Sequence, residues 1–533
     1  MKKLFARICA VMLVLAMVMP VNMTQAATKQ TYAGKTVILH SNDVHGAISG
    51  YTYMKALKNK FTKAGAEVIL VDAGDYSQGT TYVSLFKGKS AVKMMNKTGY
   101  DIVTIGNHEF DYGYNQLKKN MSIAKFKVLC ADVLDENGDT IFDANTVYTT
   151  ASGVKIGFFG LETPEAQTKA NPALIKGLTF LAGEDLYVAA QEQITALRTT
   201  DIVICLSHLG VDAESAPNTS YDLWQNTKGI DMIIDAHSHT VMTEGANGEP
   251  IQSTGTAFAN VGVIIIDDAT KKIEDNYLIA VDDTTPANKA VTKTANYFIN
   301  KVNAEYDKVF ATSEVTLDGN KAPGNRTQET NNGDIITDAM IWEVMLNKSG
   351  LTVDDDHVVA ITNGGGIRAA IGVGEVTKND VFTVLPFGNT IAVVYVTGAE
   401  LLEALEASTY CTPEAVGGFP QVSGIEFTID TSKEYDANAE TYPASTYYGP
   451  ASINRVTITA INGQAFSLTD TYAVVTNNFC AAGGDTYYAF AAASAQFDTG
   501  IPLDEALMAY ITEELGGVIG STYAETQGRI TVK

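Results

Sequence analysis

Cysteine is scarce in this chain, 5 in 533 residues, and only Cys130, Cys205, Cys411 and Cys480 lie beyond the first ten. So few thiols exclude a disulfide framework, and none has metal-ligand spacing. Cys130 and Cys205 fall inside the apolar runs KFKVLCADV and DIVICLSH, where buried free thiols are expected. Proline is also sparse, 13 residues, beside 45 glycines and 46% hydrophobic residues, which excludes collagen-like and low-complexity chains. Basic residues are in deficit: 37 Lys and Arg against 61 Asp and Glu, a formal charge of −24. Such a surface repels nucleic-acid polymers and anionic membranes, so an anionic ligand must be held by a local group of cations. Long hydrophobic runs are missing as well, with one exception at the N-terminus.

That exception runs from Ile8 to Pro20, follows Lys2, Lys3 and Arg7, and leads to Thr24-Gln25-Ala26. A basic start, a short apolar stretch and small residues before a cut site form a secretory signal, expected over residues 1–26 with cleavage near Ala26 or Ala27. The run is shorter than the roughly 20 residues a spanning helix needs. Its removal takes the 37 basic residues to 34 and the formal charge from −24 to −27. The expectation is an exported protein, extracellular or periplasmic, with no membrane anchor in the mature chain; its oligomeric state is open.

What is present is a succession of short apolar runs that end in polar residues: TVILHSNDVHG, AEVILVDAGD, DIVTIGNHEFD, VKIGFFGLET, DIVICLSHLG and GIDMIIDAHSHT. They read as buried strands. Helical spacing over Ser90–Thr98, Tyr114–Ala124 and Glu184–Arg198 makes residues 35–282 a layered α/β domain, and such sheets carry their sites at strand C-termini. Residues 286–310, amphipathic and opened by Pro286, read as a linker helix. A second α/β region follows over 311–533, with a helix at Asp334–Leu346, strands in VVAITNGGG and TIAVVYVTG, and a last strand in GRITVK.

Five of the seven histidines, His45, His108, His208, His237 and His239, follow strands of the first domain. Core histidines do not collect in this way. Asp43 and His45 close the first run, Asp75 the second, Asn107 and His108 the third, His208 a later one, and His237 and His239 another. Imidazole and carboxylate ligands without thiolate suit Zn²⁺, Mn²⁺ or a similar ion, and the donors suffice for two ions that share one carboxylate. Paired ions make hydroxide from water at neutral pH and clamp the oxygens of an in-line displacement at phosphorus.

With GNHEFD, and with ETNNGDIITDAM, TNGGGIR, LPFGNT, GFPQVSG and NNFCAAGGD farther on, the chain resembles the two-domain 5′-nucleotidases, members of the calcineurin-like metallophosphoesterases. The resemblance covers nearly all of the mature chain. It implies a four-layered αββα metallophosphoesterase domain joined by the linker helix to an α/β substrate-binding domain. It further implies two divalent ions, Zn or Mn: Asp43, His45 and His239 on one, Asn107, His208 and His237 on the other, and Asp75 between them. His108 and Asp111 would form the catalytic dyad. Asn363 and Arg368 of TNGGGIR, with Phe419, Phe479 and Asp485, would bind substrate. Arg368 would meet the phosphate, the two rings would sandwich the base, and Asp485 would take the ribose hydroxyls. Stacking between two aromatic faces holds any base without fixing its identity.

No basic residue lies between Lys378 and Lys433, where relatives commonly carry further arginines, so phosphate holding is expected to rest on the metals, Asn107, His108 and Arg368. The expected activity is hydrolysis of nucleoside 5′-phosphates by metal-activated hydroxide. A 2′,3′-cyclic-nucleotide phosphodiesterase or a nucleotide-sugar diphosphatase would use the same metals. A secreted nucleotide-binding or adhesion protein would need neither His108 nor Asp111.

Overall fold

The structure, a computed structural model, describes residues 31–533 apart from 171–173, 213–214, 283, 347, 442–447 and 494. The expected signal over 1–26 lies outside the described residues. Among the described residues, no helix is long and apolar enough to cross a membrane.

Two six-stranded sheets face each other in the first domain. In one, Lys35–Ser41 is the central strand, antiparallel to Asn260–Asp267 and parallel to Glu67–Asp72, which is followed by the short parallel strands Ile102–Val103 and Lys127–Val128. In the other, Lys155–Glu162, Ile202–His208 and Met232–Asp235 are parallel neighbours. Side chains alternate across a strand, so Ile38 points between the sheets to join Ile69, Phe158, Ile204 and Ile234. Val37 and Leu39 point outward onto the helices Tyr51–Lys63 and Lys89–Thr98. On the far side, Phe159, Val203 and Cys205 meet the helix Glu184–Ala196 through Leu186 and Ala190. Both faces of each sheet are therefore buried, which is why these strands read as unbroken apolar runs.

The linker expectation needs correction at both ends. The helix spans Lys289–Tyr306, and Asn288 caps it by accepting the N–H groups of Ala290 and Val291. Val309 and Phe310 already belong to the strand Val309–Ser313 of the next region. Nor is it a bare connector, because Val291, Ala295, Phe298 and Val302 turn inward, and the first three join the core of the first domain.

In the second domain a five-stranded sheet runs in the order Pro420–Ser423, Val358–Asn363, Thr471–Asn477, Thr390–Thr397, Ala495–Pro502. Val358 and Ala360 face the helix Asn331–Leu346, and Val359 and Ile361 face the helix Gly398–Ser408. Direct contacts join the domains: Thr81 donates a hydrogen bond to the Asn379 side chain at 2.6 Å, and the rings of Tyr306 and Phe382 meet edge-on.

Candidate metal centre and cleft

The C-terminal ends of the first-domain strands converge on one point, where Asp43, His45 and His239 form one group of donor atoms and Asp75, His208 and His237 another. Five of these residues, Asp43, His45, Asp75, His237 and His239, have φ between 43° and 72°. Non-glycine residues seldom adopt that left-handed backbone, and it persists only where surrounding structure imposes it. Here the imposition is visible. Asp43 and His45 each donate their N–H to the second loop, at the carbonyls of Gly74 and Asp75, while the N–H of His237 donates to the Asp43 carboxylate at 3.0 and 3.1 Å.

Glu109 completes the lock. Its Oε1 accepts the N–H groups of Tyr76 and Ser77, and its Oε2 those of Asp75 and Gly106. One buried carboxylate thus fixes the loop that carries Asp75 relative to Asn107 and His108. Gly106 is needed for space, since a Cβ there would lie 2.3 Å from Asp75 Oδ1 and 2.5 Å from His208 Cε1.

The donor chemistry fits cations. His208 Nδ1 is 2.7 Å from the Ala73 carbonyl, so it carries the proton and Nε2 presents its lone pair. Among the described residues that Nε2 has no hydrogen-bond partner, and it stands 3.2 Å from Asp75 Oδ2, an arrangement that is repulsive unless a proton or a cation joins the two. Asn107 Oδ1 is likewise buried without a hydrogen-bond partner among the described residues. His45 Nε2 and His239 Nε2 lie 2.9 Å apart. Burial pushes His45 down to about 3 and holds His239 well below the usual imidazole range, so both are neutral, as metal ligation requires.

His108 stands beside this cluster, its Nδ1 2.8 Å from Asp111 Oδ2. Burial alone would lower its pKa, but the carboxylates of Asp111 and Asp75 outweigh burial and raise it. The ring stacks against Phe387 of LPFGNT at 5.7 Å.

Between the domains is a cavity of about 280 Å³ whose walls include Asp75, Asn107, His108 and His239 on one side and Asn363, Arg368, Phe479 and Asp485 on the other. Asn363 donates to Asp485 at 2.7 Å. Burial, and then the neighbouring Arg326, push Arg368 down to about 10, so it keeps its charge at neutral pH.

Two expectations change. Phe419 is fully buried in the apolar cluster under the sheet, with Ile361, Val422 and Phe490, and does not line the cavity. It directly precedes the strand Pro420–Ser423, and its carbonyl accepts the Gly364 N–H at 2.7 Å. Of the expected pair Phe479 reaches the cleft, where the phenyl ring of Phe387 joins it. Nor is Arg368 the lone cation at this cavity, because Lys169, Lys321 and Arg326 line it as well. All three lie outside the basic-poor segment, and isolated basic residues carry no motif to mark them. Glu165, missed as well, places Oε2 3.3 Å from His237 Nε2.

Comparison with known proteins agrees with this architecture. Residues 36–241 match the calcineurin-like phosphoesterase family and residues 309–492 the 5′-nucleotidase C-terminal domain. The chain is 29% identical to the trifunctional nucleotide phosphoesterase protein YfkN of Bacillus subtilis over 92% of its own length, but spans only 34% of that protein. It is 28% identical to bovine 5′-nucleotidase over 74% of this chain and 75% of that one. A 5′-nucleotidase precursor from Thermus thermophilus superimposes with a TM-score of 0.76 at 27% identity, over 93% of this chain and 99% of that one. With one domain matching each half of that architecture, the chain belongs to the two-domain 5′-nucleotidase family of metal-dependent phosphoric ester hydrolases.

Proposed function

We propose that the protein is an exported phosphoesterase that releases phosphate from nucleoside 5′-phosphates. The observation that carries this reading is that Asp75 and His108 share a single cavity with Phe479 and Asp485, contributed by the other domain. A phosphate at the strand ends and a nucleoside at the opposite wall are thus within reach of one small molecule.

In this reading Asp43, His45 and His239 would hold one divalent ion, Asn107, His208 and His237 would hold the second, and Asp75 would serve both. Zn²⁺ or Mn²⁺ suits this donor set. Bound ions would supply Lewis acidity and a water acidic enough to ionise near neutral pH. The protein does the rest. Asp111 holds His108 by Nδ1 and leaves Nε2 to carry a proton to the departing 5′ oxygen. Arg368 and Arg326, two guanidinium groups that repel each other when no anion lies near, offset the charge of the phosphate. Phe479 stacks on the base, and Asp485 and Asn363 accept and donate to the ribose hydroxyls.

The extra cations Lys321 and Arg326 favour a second reading, in which the cleft also takes a diphosphate such as a nucleotide sugar. A hydrolysis panel with metal-reconstituted protein separates the two. It compares 5′-AMP, 2′,3′-cyclic AMP, UDP-glucose and p-nitrophenyl phosphate. The proposal expects 5′-AMP to lead, and a panel led by p-nitrophenyl phosphate would overturn it.

A further inference from the structure

We propose that Lys169, a residue of the first domain, sets nucleoside selectivity by positioning Asp485 of the second domain. The inference rests on the nucleotidase reading, because it concerns the nucleoside side of the same cleft.

Lys169 ends a single helical turn, Ala166–Lys169, and its side chain is only 13% exposed. Its Nζ stands 3.8 Å from Asp485 Oδ1 across the cleft and 3.8 Å from Glu165 Oε2 on its own side. Glu165 in turn meets His237, and Asp485 Oδ2 accepts from Asn363, whose Oδ1 accepts from Asn477 at 3.0 Å. One chain of polar contacts therefore runs from the strand-end histidines to the nucleoside wall, and Lys169 is its interdomain link.

Two further features show that the link is built into the fold. Ala166, the first residue of the turn, and Ala170, just after it, pack with Phe110 of the NHEF segment, so the turn that presents Lys169 is seated on the segment that carries His108. Gly417 lines the cavity beside the pair, and a Cβ there would lie 3.3 Å from Asp485 Oδ1 and 3.4 Å from Lys169 Nζ. Any larger residue would crowd the contact. Asp485 itself has φ 53°, a left-handed backbone that persists only where surrounding structure imposes it. The Asn363 amide fixes one carboxylate oxygen by a hydrogen bond and the Lys169 ammonium attracts the other, a pairing that favours one orientation of the carboxylate toward the two hydroxyls of a ribose.

The test compares wild type, Lys169→Met and Lys169→Arg, all metal-reconstituted. One readout is the ratio of kcat/KM for 5′-AMP to that for p-nitrophenyl phosphate; the other is the Kd of adenosine by calorimetry, which involves no catalysis. The contact is an ion pair of two largely buried groups, and its loss is worth on the order of tenfold. Lys169→Met should lower the ratio and weaken adenosine binding by about that factor, mainly through KM, and Lys169→Arg should restore most of both. In an Asp485→Asn background, adding Lys169→Met should cost little more.

An unchanged ratio and Kd in Lys169→Met, or a full further tenfold loss in the Asp485→Asn background, would overturn the proposal. If wild type hydrolyses no nucleotide but Lys169→Met still weakens adenosine binding, the nucleotidase reading fails and the role of Lys169 stands. If wild type binds no adenosine, both fall.

Discussion

Replacing Glu109 by glutamine tests how the centre is held, because the change keeps the shape of the side chain and alters only its hydrogen bonding. Both oxygens of Glu109 are acceptors: Oε1 for Tyr76 and Ser77 at 3.0 and 2.9 Å, Oε2 for Asp75 and Gly106 at 2.8 and 2.6 Å. Whichever way a glutamine amide turns, its NH₂ faces two backbone N–H donors that have lost their acceptor. Glu109 is 2% exposed, so water cannot replace it. Each orphaned buried donor costs about 1–3 kcal/mol, which gives a loss of about 2–6 kcal/mol. For a domain of this size, that is a fall in Tm of roughly 4–24 °C in metal-free protein. The same change loosens the loop that carries Asp75, so divalent ions should bind more weakly and excess metal should recover part of both stability and turnover. Differential scanning of chelated and metal-titrated protein, with turnover assayed on the same samples, measures all of this. A variant that melts within about 1 °C of wild type, well inside the smallest shift worked out above, and binds metal equally well would refute the reasoning.

His108→Ala should keep its metal content and lower turnover by roughly 10²–10⁴-fold, the usual contribution of a general acid; a rate within a few fold of wild type would remove it from the chemistry. The two phenylalanines should part company. Phe479→Ala should weaken 5′-AMP by about 1–3 kcal/mol, seen as a raised KM, whereas Phe419→Ala should cost about 3–5 kcal/mol of stability, read by urea denaturation. A stable Phe419→Ala protein with a raised KM would restore the two-ring sandwich. His40, fully buried against Gln252, is pushed down to about 4 by burial. The unfolded chain takes that proton near 6.5 and the folded chain only near 4, so this stabilisation is complete above 6.5 and is lost as pH falls toward 4, by roughly 3 kcal/mol. In His40→Gln the stability difference between about pH 7.5 and about pH 4.5 should shift by about that amount; parallel profiles for the two proteins would contradict it.

The strand-end histidines and carboxylates were legible because two physical patterns coincide: apolar runs buried on both faces, and polar residues at the ends where a parallel sheet opens. The third run was less regular than its letters. DIVTIGNHEFD forms only the two-residue strand Ile102–Val103 before turning into the short helix Asn107–Phe110, since the chain must double back to bring Asn107 and His108 to the centre. Phe419 misled because a resemblance carried by the letters GFPQVSG does not tell which way a ring points beside a strand, and the apolar cluster beneath the sheet claims it. Lys169, Lys321 and Arg326 could not be read at all, because their meaning comes from meeting across two domains. Glu109 was visible only as a letter of a motif, and it reaches Tyr76 from 33 residues away in the sequence.

The central claim is that Asp75 joins two ions into one hydrolytic centre. The direct measurement is metal content by mass spectrometry alongside 5′-AMP hydrolysis, as chelated protein is titrated with Zn²⁺ or Mn²⁺. The account predicts no turnover without metal and a rise that saturates at two equivalents per chain, with Asp75→Ala retaining neither ion. Full activity in metal-free protein, or two ions still bound in Asp75→Ala, would contradict it.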